Sequence, residues 1–154
     1  MNTVKQLLDA KGYDVWAIAP GDSVYDALKL MAEKGVGAVL VLEEGKLVGI
    51  MSERDYARKV ILKGKFSRDT PVREIMTSRV ICVRPQQTIE ECLALMTEHR
   101  IRHLPVLADD QLVGVVSIGD LVKAIMSDQE FLIEHLQAYI TGSVAQAAKP
   151  SERV

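Results

Sequence analysis

The heptad Gly49-Ile50-Met51-Ser52-Glu53-Arg54-Asp55 returns at Gly114-Val115-Val116-Ser117-Ile118-Gly119-Asp120, and the shift of 65 residues holds without a gap from 15–62 onto 80–127. Identical pairs in this register include Leu28/Leu93, Met31/Met96, Val41/Val106, Leu47/Leu112, Val48/Val113, Gly49/Gly114, Ser52/Ser117 and Asp55/Asp120. Most of the identities are apolar, as a shared core requires. A duplication of this period is the strongest constraint on the fold. One copy of roughly 50 residues stands near the lower limit for independent folding, so two copies must bury their apolar faces together.

Each copy reads as β-α-β-β-α. A short strand (15–18; 80–83) ends at Pro20 or Pro85, and Ser23 or Thr88 then takes the N-cap position of an amphipathic helix. Val24, Ala27, Leu28 and Met31 share one face of that helix, and Ile89, Cys92, Leu93 and Met96 repeat it. Two apolar runs follow, 38–42 and 47–51, joined by Glu43-Glu44-Gly45-Lys46, with 104–107 and 112–116 joined by Ala108-Asp109-Asp110-Gln111 in the second copy. These are hairpins. A second helix starts at Ser52 or Ser117 and is expected to reach about Leu62 or Met126. The expected division is an N-terminal helix in 1–14, repeat 1 in 15–65, a linker in 66–79, repeat 2 in 80–127, a separate C-terminal helix in 128–142 and a flexible tail in 143–154.

Composition narrows the function classes. The 154 residues are 48% apolar and 26% charged with a net charge of -2, which gives a core but no basic surplus for a phosphate backbone. Nucleic acid is not expected as a partner. No run approaches a membrane span or a signal-peptide core, and the two cysteines, Cys82 and Cys92, align with Ala17 and Ala27 as small core residues. The expectation is a cytoplasmic protein with reduced thiols.

The repeated heptad carries the chemistry. A Ser at the start of a helix with Asp three residues on brings backbone N–H groups, a hydroxyl and a carboxylate to one place, where vicinal sugar hydroxyls and a phosphate find partners. The same residues also serve as a capping box that satisfies only the helix. Gly119, a poor helix former in the first turn, favours close ligand approach. His99 and His103 lack a third ligand, so no metal is expected, and no nucleophile-base set or Walker loop suggests turnover.

The doubled Gly-x-x-Ser-x-x-Asp element, with Arg102-His103-Leu104-Pro105-Val106 in the second copy, resembles the tandem CBS-domain pair, or Bateman module, as it occurs in stand-alone CBS-domain proteins. The resemblance covers about 15–127. It implies an α/β (α+β) fold of two repeats packed through their sheets around a pseudo-twofold axis. It implies a non-enzymatic regulatory module that binds AMP, ADP, ATP, NAD(H) or S-adenosylmethionine and reports occupancy by a conformational or assembly change. No catalytic cofactor is implied. Asp55 and Asp120 would hold ribose, Ser52 and Ser117 ribose or phosphate, and Arg54, Arg102 and His103 a phosphate at the Asp55 site. Trp16 and Pro105 are candidates for an adenine wall. Gly37 and Ala38 match Arg102 and His103, and Gly119 matches Arg54, so the Asp120 site is expected to be weaker or to take a less charged group. The family resemblance also implies a homodimer and a separate effector protein, and the alternative is a dimerisation scaffold that needs no ligand.

Overall fold

The computed structural model describes residues 1–141, so the tail in 143–154 lies outside the described residues. Along the chain run α1 (Val4–Lys11), β1 (Ala17–Ile18), α2 (Val24–Lys34), β2 (Ala38–Glu43), β3 (Lys46–Ser52), α3 (Glu53–Tyr56), α4 (Ile89–His99), β4 (His103–Ala108), β5 (Gln111–Ser117) and α5 (Ile118–Thr141). The expected N-caps are present: Ser23 accepts from Asp26 N and Thr88 from Glu91 N. Both hairpins turn through two residues of positive φ, Glu44-Gly45 and Asp109-Asp110, the conformation that matches strand twist. β2–β3 and β4–β5 are antiparallel with the same bulge, between Val41 and Leu42 and between Val106 and Leu107. The duplication therefore extends to backbone irregularities.

Three features depart from the sequence reading. The leading strand is two residues long in the first copy, and in the second it shrinks to one parallel bridge, Val83 to Val106. Pro105 is the cause. In the first copy Leu40 N–H donates to Trp16 O at 3.0 Å, and the residue 65 on from Leu40 is Pro105, which has no N–H to give to Ile81. The helix after Ser52 makes one α turn and then widens into a π-helical stretch over Ala57–Ile61. The helix after Ser117 does not stop near Met126. It runs unbroken to Thr141 and absorbs the separate C-terminal helix, because no Gly or Pro interrupts 120–141.

The core has two halves, and each is completed by a segment from outside its repeat. Val24, Ala27, Met31, Val39, Val41, Met51 and Val60 bury Val72 and Ile75 of the linker. Leu104, Val106, Val116, Leu121, Ile89 and Cys92 bury Val4, Leu7 and Leu8 of α1. The first residues thus pass over the whole first repeat to serve the second, with Val4 N bonded to Gln87 O and Ile89 N to Asn2 O. Gly49 and Gly114 explain themselves here. A Cβ on Gly49 would stand 2.5 Å from Met76 Sδ, and one on Gly114 would stand 2.9 Å from a Leu8 methyl. The motif glycines seat these crossing segments.

Candidate functional site

The two sheets meet where β3 contacts β5. At this junction a cleft of about 560 Å³ opens over the N-terminus of α3. Ser52, Arg54, Asp55, Arg102 and His103, which the sequence singled out, all line it. It is also lined by Arg58, Lys59, Arg79 and Arg100, which sequence reasoning missed. Six Arg and Lys side chains thus face the cleft against two carboxylates, Glu53 and Asp55, in a chain of net charge -2. The field here is positive whatever the net charge of the whole chain. A signal for part of this was available: Arg58 and Lys59 follow Arg54 and Asp55 at helical i,i+4 spacing.

Ser52 and Asp55 form the reciprocal cap. Ser52 N donates to Asp55 Oδ2 at 3.0 Å, and Asp55 N donates to Ser52 Oγ at 3.2 Å. Lys59 Nζ lies 3.1 Å from Asp55 Oδ1, an ion pair within one helix. Arg54 reaches across to the other repeat, where Nη1 donates to Arg100 O at 2.7 Å. Arg100 can present that carbonyl because it ends α4 in the left-handed conformation, φ 55°.

His103 is half-buried at the seam. Its ring lies against Gly37, with Cε1 3.6 Å from where a Gly37 Cβ would stand, an ordinary van der Waals distance. Burial holds the imidazole below its ordinary pKa. Asp120 and Glu53 act against that shift, whereas Lys11 and Arg102 act with it.

The Asp120 side has the same cap and different surroundings. Ser117 N donates to Asp120 Oδ2 at 2.8 Å and Asp120 N to Ser117 Oγ at 3.2 Å. In the 65-residue register the positions of Arg54, Lys59, Arg100 and Arg102 are held by Gly119, Ala124, Gly35 and Gly37, and that of Arg58 keeps a cation, Lys123. The cation that pairs with Asp120 comes from another element: Lys11 Nζ, on α1, lies 2.6 Å from Asp120 Oδ2. Burial opposes ionisation of Asp120, but the Lys11 ammonium and the Ser117 hydrogen bonds outweigh it and hold the carboxyl below the usual range.

Trp16 does not line the Asp55 cleft. Its ring packs on the first core with Lys34 Nζ 4.4 Å above it, and Ile81, its counterpart in the register, lines the cleft instead. Pro105 is buried in β4, and its effect on the cleft is indirect: the bond that Trp16 O receives is missing at Ile81 O. Cys82 and Cys92 are free thiols, and burial followed by Glu91 pushes Cys92 up to about 11, so both read as packing. Among the described residues no His, Cys, Asp and Glu cluster could hold a metal ion, and no helix is long and apolar enough to cross a membrane.

A Cβ on Gly119 would meet only Ser117 Oγ, at 3.7 Å, an ordinary contact. Gly119→Ala is therefore expected to stabilise α5 by up to about 1 kcal/mol, seen as a higher melting temperature. A lower one would mean that this position is needed open within the fold itself.

A tandem pair of small α/β repeats enclosing a basic cleft at their seam is the class of protein that fold and site define. The CBS domain sequence profile matches residues 7–62 and 72–127, and the chain belongs to the CBS-domain family as a pair, a Bateman module. It is 39% identical over 150 residues to the CBS domain-containing protein CBSX3, mitochondrial, of Arabidopsis thaliana, covering 91% of this chain and 72% of that one. A solved structure from Burkholderia ambifaria, provisionally termed a signal-transduction protein with CBS domains, shares 55% identity at a TM-score of 0.81, covering 82% of this chain and 96% of that one. A hexameric CBS-CP12 protein from bloom-forming cyanobacteria shares 29% identity at a TM-score of 0.69, covering 78% and 70%.

Proposed function

We propose that this protein is a non-enzymatic regulatory module that binds a phosphorylated adenosine ligand in the Asp55 cleft and reports its presence through the packing of the two repeats. The observation that carries the reading is the convergence of Arg54, Arg58, Lys59, Arg79, Arg100 and Arg102 on one cleft beside a Ser-Asp pair. The rival reading, a scaffold that needs no ligand, has one observation in its favour, since Ser52 and Asp55 satisfy each other as a cap. A cap gives no reason for Arg79, Arg100 and Arg102, from other segments, to gather over it. Like charges drawn together cost free energy unless an anion offsets them. AMP, ADP, ATP, NAD(H) and S-adenosylmethionine all present the adenosine that Asp55 would hold by its ribose, and the basic lining favours the anionic ones. At the base, the Ile81 carbonyl that Pro105 leaves without a strand partner is suited to an adenine amino group.

Isothermal titration of ligand-stripped protein with AMP, ATP, NAD and S-adenosylmethionine is the test, and binding by none of them removes the reading. Occupancy can act only through unequal affinity for two arrangements of the repeats, with couplings of about 1–3 kcal/mol. The output then passes to a separate effector or through assembly. A homodimer is part of this proposal: Phe131, Leu132, Leu136, Tyr139 and Ile140 leave the distal half of α5 with exposed apolar side chains. Light scattering of a monomer at micromolar concentration would remove it. A cytoplasmic location completes the reading, although the Arabidopsis relative is named mitochondrial.

His103 adds a pH dependence. Burial favours the neutral ring, and an anion in the cleft favours its charged form, so binding is coupled to proton uptake. Affinity then rises as pH falls below the ordinary histidine value, by at most tenfold per pH unit for one proton. The AMP phosphate itself titrates near pH 6, so the quantity to read is the affinity ratio of wild type to His103→Gln between pH 8 and 5.5. The ratio is expected to grow toward acid. A constant ratio assigns the proton to another group.

A further inference from the structure

The Asp120 site does have a cation, and it is borrowed. Lys11 belongs to neither hairpin nor to the helix of the second motif; it lies 109 residues away in sequence, at the C-terminal end of α1. Two of its ammonium protons are engaged, one by Asp120 Oδ2 at 2.6 Å and one by Val115 O at 2.8 Å. The pairing differs in kind from Lys59–Asp55, which spans four residues of one helix and comes with the cleft's many other cations. Here the strand positions that could supply charge, Gly37 and Ala38, supply none. α1 is not a loose tether, because Val4, Leu7 and Leu8 are 0–2% exposed within the second core. The backbone that carries Lys11 is fixed, whereas its four-carbon arm is one-third exposed and can swing.

We propose that Lys11 sets the ligand class of the second site, making the Asp120 position select an anionic nucleoside over an uncharged one; the proposal rests on the nucleoside reading of the repeats. A neutral ribose has to displace the ammonium from Asp120 and leaves it without a counter-ion. A phosphate offers the ammonium a new partner as the ribose takes the carboxylate, so the exchange keeps one ion pair and adds the hydrogen bonds between ribose and carboxylate. The sequence expectation that this site takes a less charged group is thereby reversed, because the cation comes from the N-terminal segment.

The test isolates the second site by working in the Asp55→Ala chain, with Asp120→Asn added as the blank, and compares AMP with adenosine by titration. With Lys11 present, AMP is expected to bind at least about tenfold more tightly than adenosine. In Asp55→Ala/Lys11→Met the preference should fall below about threefold, largely because adenosine binds better, and Lys11→Arg should retain it. Circular dichroism melts confirm that each variant is folded. A preference that survives Lys11→Met overturns the proposal. If the Asp55→Ala chain binds neither ligand while wild type binds AMP, the second site does not exist and the proposal falls while the Asp55 reading stands. If wild type binds neither, both fall.

Discussion

Asp55→Ala is expected to weaken AMP binding by roughly tenfold to a hundred-and-fiftyfold while the chain stays folded. The magnitude follows from losing hydrogen bonds between a carboxylate and ribose hydroxyls, about 1.5–3 kcal/mol. The same substitution removes half of the cap on Ser52, worth about 1 kcal/mol of stability, or about 2–4 °C in melting temperature for a chain of this size. The two effects separate in the measurement, since titration of the folded variant does not register the cap. If Asp55 serves only the helix, the melting temperature falls and the affinity does not. Asp55→Asn sharpens the contrast. Its amide oxygen can still accept from Ser52 N–H, but it lacks the charge that pairs with Lys59 at 3.1 Å, so it should recover most of the stability and only part of the affinity.

What could be read from the sequence was whatever the duplication repeats. The two hairpins, the helices α2 and α4 and the reciprocal Ser-Asp caps occupy the same register, and periodicity with local turn chemistry is enough to find them. What could not be read depends on contacts between distant segments. Nothing local to Arg79 or Arg100 marks it as part of a cleft; both arrive there because the linker returns to the first repeat and α4 ends in a left-handed residue. Gly49 and Gly114 stand in the sequence only as members of the repeated motif, and contacts from distant segments make them the seats for Met76 and Leu8. Pro105 was visible as part of a signature, but its consequence for the leading strand appears only when Leu40 is set beside it. The asymmetry between the sites was half legible. The uncharged Gly37, Ala38 and Gly119 could be seen in the chain, whereas Lys11 could not be assigned to Asp120 without knowing which repeat α1 serves.

That crossing of α1 sets the largest expected loss of stability. Leu8 is fully buried, and its methyls lie directly over Gly114 of β5. Leu8→Ala removes its buried methyl groups and leaves a cavity, costing about 2–5 kcal/mol, a large share of the 5–15 kcal/mol that holds a domain of this size together. Leu62→Ala, at a side chain that is 77% exposed, should change stability by less than about 0.5 kcal/mol. Urea denaturation of the two variants compares them directly, and equal losses would mean that α1 does not belong to the second core. The loss also reaches the site. Lys11 stands three residues beyond Leu8, about one helical turn, so loosening α1 withdraws the ammonium from Asp120. By the same linkage a ligand that engages Lys11 at the second site acts on α1, and through Leu8 on the packing that joins the first residues of the chain to its last repeat.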